Sequence, residues 1–392
     1  MNKPNSDFHK SLEKYLEQEQ FNQEQFFKFY ELQNRIVHPD TDVPGGGEQY
    51  IIDKNLWECR FCDRTKADGA SFKKKAHIFP EQLGNKLIIS HSECDDCNKF
   101  FANHESHLGD FLGPLKTLLG VKGKSKRGSR IPKHKVSKTG TKITHTGQRI
   151  LWEQDIENSL IRLDSPTEIS FGVKHRPFIP ISVWKGLTRT AVHLIDLNEL
   201  DNFSWFKECV STDKHDNVLK ASQGLCTIFS IFIPSAFNIY PRPELRLFKR
   251  KEPGLFDIKE MVLPEKMYVF STSSHVYQVP VFSNNDYEEL KNPEVAGGNR
   301  SIPFYPLNID EEYIEGYDLP KRNVHNLNSV TKETPLNWIQ FSYNNIQPIT
   351  TERLTQNGFS DDEIKCLKSN VKDSPETLKK FSKLINNSRN TT

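Results

Sequence analysis

Two cysteine pairs, Cys59-x-x-Cys62 and Cys94-x-x-Cys97, enclose the string Ala76-His77-Ile78-Phe79-Pro80-Glu81. Four thiolates at this spacing can close one tetrahedral site, so a structural Zn²⁺ is expected. The plain alternative is four unrelated thiols; a redox pair would need a βαβ setting that the surrounding residues do not supply. Asn98 follows Cys97 directly and opens a helix-compatible run, Lys99 to Glu105. A zinc closed across the pairs would hold the loop carrying His77 against the start of that helix. An imidazole can move a proton near neutrality. An asparagine at a helix start either caps it or offers an oxygen to a hard cation.

The stretch from Cys59 to about Leu108 resembles the HNH endonucleases whose ββα-metal core is braced by a Cys₄ zinc. The residues that carry the resemblance are Cys59 and Cys62, Ala76 to Pro80, Cys94 and Cys97, and Asn98. The resemblance implies that His77 ends the first strand and acts as general base on the water that attacks phosphorus. It implies that Asn98 binds one divalent cation, Mg²⁺ or Mn²⁺, a Lewis acid at the scissile phosphate. Many family members carry an acid immediately before the histidine, where this chain has Ala76. Glu81, His104 and Glu105 are the available substitutes for that second ligand. Against these roles stand a histidine hydrogen-bonded beneath the zinc loop, a simple N-cap and solvated carboxylates. Asn98 and Glu105 share a helix face but lie roughly 10 Å apart along it, which disfavours one ion held directly by both.

Between Phe111 and Trp152 the chain carries eleven Lys and Arg and no Asp or Glu. Lys122, Lys124, Lys126, Arg127, Arg130, Lys133 and Lys135 are the densest part and form the candidate phosphate-backbone contact. A solvated loop is the alternative for such a charge run. Interspersed glycines make the tract loop- or hairpin-like.

The elements that must position these residues follow from periodicity. Residues 7–37 read as helix, and Ile181 to Leu197 as a second, apolar one. Strand-like runs lie at Gly224 to Ile233, Leu245 to Lys249, Met267 to Ser271 and His275 to Phe282, separated by proline-rich turns. The last forty residues read as helical and polar, with a Ser-Pro-Glu-Thr helix start at Ser374. The expected class is α+β. An N-terminal helical segment (1–45) precedes an HNH module (55–113) and a basic loop or hairpin region (114–152). A larger mixed α/β domain (155–345), with a possible recognition or sensing role, and a helical tail (346–392) complete the division.

A net charge of +2 over the whole chain excludes nothing by itself. Seven cysteines without a disulfide framework point to a reducing, cytoplasmic setting. Neither a signal peptide nor a membrane span is expected. The function expected is a metal-dependent endonuclease cutting DNA, with RNA not excluded, in the manner of a bacterial restriction or defence effector. The rival readings are a zinc-dependent nucleic-acid-binding protein with a decayed site, favoured by Ala76, and a nuclease gated by a signal at the C-terminal domain. A homo-oligomer or a regulatory partner is expected to engage the C-terminal region.

Overall fold

The computed structural model describes residues 6–39, 48–50, 57–118, 120, 123–125, 128–131, 133–136, 142–145, 150–153, 160–165, 168–213, 225–233, 239–251, 262–291, 302–307, 319–342, 351–356, 358 and 360–364. Helix α1 (Ser6–Phe29) leads into strand β1 (Tyr30–Val37), then β2 (Gln49–Tyr50) and β3 (Ala76–His77). A 3₁₀ turn (Glu81–Leu83), β4 (Ile88–Ser90), α2 (Asp95–Leu112) and α3 (Leu115–Leu118) come next. Short strands β5 (Gly123–Ser125), β6 (Gly128–Arg130), β7 (His134–Lys135), β8 (Lys142–His145) and β9 (Ile150–Glu153) occupy the basic tract. They precede β10 (Leu160–Ser165), β11 (Glu168–Lys174), α4 (Pro180–Leu194) and α5 (Ser204–Ser211). Strands β12 (Thr227–Phe232), β13 (Tyr240–Arg250), β14 (Lys266–Ser273) and β15 (His275–Val281) lead to α6 (Asn284–Leu290). The chain continues through β16 (Lys321–Asn326), β17 (Leu336–Ser342) and α7 (Thr351–Gln356).

Two compact units result. One comprises residues 1–112, 121–130 and 178–333; the other comprises 113–120, 131–177 and 334–392. The expected division is serial, whereas these two units interleave along the chain. Residues 178–333 fold with the module and the N-terminal segment, while 113–120 and 131–177 group with 334–392.

The first unit is built on an antiparallel sheet in the order β1-β13-β14-β15-β12-β16. Its central strands are buried on both faces, so their alternation sorts side chains between two cores rather than between core and water. Tyr268, Phe270, Tyr277 and Val279 join a cluster with Phe79, Phe101, Trp184 and Leu187. Met267, Val269 and Val276 join Phe26, Phe29 and Tyr30 on the opposite face. The cysteine module and α4 therefore cover one face, and α1 covers the other.

The helix expected over 7–37 ends at Phe29, where Tyr30 to Val37 pair with β13 from Arg250 back to Glu244. A partner more than 200 residues away leaves no mark on local periodicity, and tertiary pairing overrides it. The α4 helix and strands β12 to β15 fall where the pattern places them. The expected tail helix from Ser374 lies outside the described residues.

In the second unit, β7-β8-β9 and β10-β11-β17 form two antiparallel three-stranded sheets. Among the described residues, no helix is long and apolar enough to cross a membrane.

Candidate active site and metal centre

The four cysteines meet. Cys59 and Cys62 lie on a tight turn in which the Asp63 amide donates to the Cys59 carbonyl at 2.8 Å. Cys94 precedes α2, and Cys97 sits in its first turn. The four sulfurs lie within 4.8 Å of one another, with Cys62 Sγ and Cys94 Sγ 3.7 Å apart. A zinc–sulfur bond of about 2.3 Å implies a tetrahedral S···S edge of about 3.8 Å, so the set fits Zn²⁺. Backbone amides already point at the sulfurs: Cys94 N donates to Cys59 Sγ at 3.4 Å and Cys97 N to Cys94 Sγ at 3.5 Å. Arg64 adds positive charge, its Nε 3.4 Å from Cys62 Sγ. The hydrogen bond with Cys97 draws the Cys59 thiol down to about 5, while that bond, burial and the neighbouring sulfurs push Cys97 up. Four thiolates this close repel one another, and a divalent cation is what lets all of them ionise.

The zinc turn is tied to the loop before His77 by Asp95. Its carboxylate accepts from Ser71 Oγ at 2.7 Å and from the Lys74 amide at 2.8 Å. Burial opposes its charge, but these bonds outweigh burial and hold the carboxyl below its usual range. That loop leads into β3, which pairs antiparallel with β4, His77 opposite Ile89. Between them, the fully buried Asn85 donates to the carbonyls of Phe79 and Ile88 at 3.0 and 2.9 Å and accepts from the Ile88 amide at 2.9 Å. The order β3, β4, α2 is a ββα unit.

On this frame His77 Nε2 lies 2.8 Å from Glu81 Oε1, with side-chain exposures of 14% and 31%. Pro80 sets the 3₁₀ turn that carries Glu81, and Gly84 closes it with φ of 98°, a conformation glycine adopts without strain. Ala76 is fully buried and faces the core.

Asn98 and Glu105 on α2 meet through Arg189 of α4. Arg189 Nη1 donates to Glu105 Oε1, and Nη2 approaches Asn98 Oδ1 at a long 3.4 Å. The same guanidinium donates to Glu93 Oε2 from Nη2 at 2.7 Å and from Nε at 3.1 Å. His193 Nε2 completes the cluster, 2.9 Å from Glu93 Oε2. Burial lowers His193 to about 4, so it is neutral there. Burial raises the Glu93 carboxyl, but Arg189 and His193 overcome it and hold the group low. Glu105 is raised by burial, with Arg189 opposing and the Glu93 and Glu81 charges adding to the rise. Glu81 is thus electrostatically felt at Glu105, and the side chain of Gln82 in the same turn donates to the Glu105 carbonyl. The helices approach closely at Gly186, where a Cβ would meet the His104 carbonyl at 3.3 Å.

His104 is placed elsewhere. It is buried, its ring 4.6 Å from that of Phe100. Among the described residues, the four cysteines are the group of three or more His, Cys, Asp or Glu side chains whose donor atoms converge. Glu81, His104 and Glu105 therefore do not assemble with His77 into a second such group. Two oxygen donors suit a hard cation in kind: Glu81, beside His77, and the Asn98 amide, beside the guanidinium that Glu93 and Glu105 share.

The basic residues are divided. Lys124 and Arg130 lie on the β5–β6 hairpin of the first unit. Lys133 and Lys135 are exposed in the second. Lys122, Lys126 and Arg127 lie outside the described residues.

Glu93, Arg189, His193 and Asp95 escape the sequence reading. The one signal for two of them is Arg189 and His193 at i,i+4 on α4, a spacing that puts both on one face.

The family model described as HNH endonuclease matches residues 59–112, a span that runs from the first of the four converging cysteines to the end of α2. No curated protein and no solved structure matches the chain.

Proposed function

We propose that the protein is an endonuclease that hydrolyses DNA phosphodiester bonds with the help of one divalent cation, using the module at 59–112. The observation that carries this reading is the His77–Glu81 pair at 2.8 Å on a zinc-braced ββα unit that the HNH endonuclease family matches. His77 accepts the proton of the attacking water. Glu81, held at the other ring nitrogen, fixes the imidazole's tautomer and orientation and stabilises the imidazolium that forms. Asn98 and Glu81 are the residues that would hold the cation, which supplies Lewis-acid stabilisation of the leaving oxygen. The zinc cysteines and Asp95 keep His77 and the start of α2 in fixed relation.

Exposed Lys133 and Lys135, with Lys122, Lys124, Lys126, Arg127 and Arg130, supply sequence-independent contact to the phosphate backbone. The layout, a small nuclease module joined to a larger region of unmatched sequence, is that of a bacterial restriction or defence effector, and we extend the proposal to that role on layout alone. Incubation of the zinc-loaded protein with plasmid DNA and with RNA, in Mg²⁺, Mn²⁺ or EDTA, tests the reading. Metal-dependent nicking of DNA is expected. Binding to DNA without any cutting would instead favour a decayed, zinc-dependent binding protein, the reading that Ala76 supports.

A further inference from the structure

We propose that Arg189 is a positioning residue of the nuclease centre, so that helix α4 (Pro180–Leu194), which lies outside the matched module at 59–112, is part of the active site's construction. The inference rests on the nuclease reading above and deepens it. Arg189 cannot touch substrate, since its side chain is 2% exposed. It is instead the shared donor of three groups that otherwise have no reason to hold a common geometry. Glu93, fully buried and adjacent to zinc ligand Cys94, receives two of its nitrogens, at 2.7 and 3.1 Å. Glu105 receives Nη1, and Asn98 Oδ1 lies 3.4 Å from Nη2. The guanidinium plane is further confined over Phe101, 5.3 Å from the ring centroid.

Two consequences follow from this arrangement. An amide oxygen has two acceptor directions. A donor on one of them decides which end of the Asn98 carboxamide carries the oxygen and leaves the second direction for a cation. Glu105, bound to Arg189, is withdrawn from the role of direct cation ligand. Its neighbour in charge, Glu81, stays paired with His77. Arg189 thereby sorts the carboxylates of the site into one that anchors the helix and one that serves the base. A lysine keeps the charge, but its three donors radiate from one nitrogen and lack the planar fork with which Nε, Nη1 and Nη2 reach Glu93, Glu105 and Asn98 together.

The experiment compares full-length wild type, Arg189→Lys, and the charge-neutral double variant Glu93→Gln/Arg189→Met. Each is checked for zinc content and melting temperature. Single-turnover DNA cleavage, DNA affinity and the side-chain amide resonances of Asn98 are then measured. The rate constant of Arg189→Lys is expected to fall by at least about tenfold with DNA affinity within about twofold of wild type. The Asn98 resonances should shift even without DNA or added metal. Should Arg189→Lys lose zinc, the double variant, which neutralises the fully buried Glu93 together with its partner and leaves only the 21%-exposed Glu105 without its cation, carries the same expectations.

A folded variant that cuts within about twofold of wild type, or whose Asn98 resonances do not move, overturns the proposal while leaving the nuclease reading intact. Loss of zinc from both variants overturns it too, by making Arg189 a folding residue. A wild type that never cuts, under any metal, defeats the nuclease reading itself and the proposal with it.

Discussion

Glu81 shows what a fold adds to a residue. By type alone its carboxylate is equally a cation ligand or a solvated surface group; in place, it lies against His77 and within the electrostatic reach of Glu105. The pairing predicts that Glu81→Gln lowers the cleavage rate about 10- to 100-fold with DNA affinity unchanged, because an amide neither stabilises the imidazolium nor fixes one tautomer. Undiminished single-turnover cleavage by that variant would remove Glu81 from the reaction. The cysteines, His77 and Asn98 are legible in the sequence because their chemistry is a matter of residue type and short spacing. Glu93 and Arg189 are not, because they meet across 96 residues and carry no spacing that marks them.

At the scale of elements, α4 decides how the module is held. Every one of its residues is buried, including Lys185, Arg189 and His193. A charged residue survives such burial only with partners. Its last turn is closed from the zinc turn, where Arg60 donates to the carbonyls of His193 and Ile195. These are carbonyls that a helix end leaves without intrahelical donors. Burial lowers Arg60 to about 10, still charged at neutrality. Arg60→Met is therefore expected to destabilise the protein by about 2 kcal/mol in urea unfolding with zinc retained. A change within about 0.5 kcal/mol would show that the cap contributes little. Periodicity finds α4 and the core strands because they are long and strongly apolar. It misses β1, because that strand's pairing with β13 is set from across the chain, and it misses the short β3, because two residues carry no period at all.

Across the whole molecule, the sheet of the first unit separates two cores, and ionisable groups are buried on both sides. His275, on β15 beside Phe232 and Tyr277, is lowered to about 4 by burial. In the unfolded chain a histidine titrates near 6.5. Its folded value is lower, so the unfolded state binds the extra proton. The contribution is fully present above about pH 6.5 and is lost progressively as pH falls toward 4. Between pH 7 and pH 5 this one side chain should account for about 2 kcal/mol of lost stability. His275→Phe should reduce the pH dependence of urea unfolding by that amount, and an identical loss in both proteins would show that the ring is protonated in the fold.

The measurement that bears most directly on the account is cleavage of plasmid DNA in Mn²⁺ by wild type beside His77→Ala, with equal zinc content confirmed in both. Metal-dependent cutting by wild type, reduced about 100-fold or more in the variant, is the predicted result. Equal cutting by the two proteins would contradict the placement of the reaction at His77.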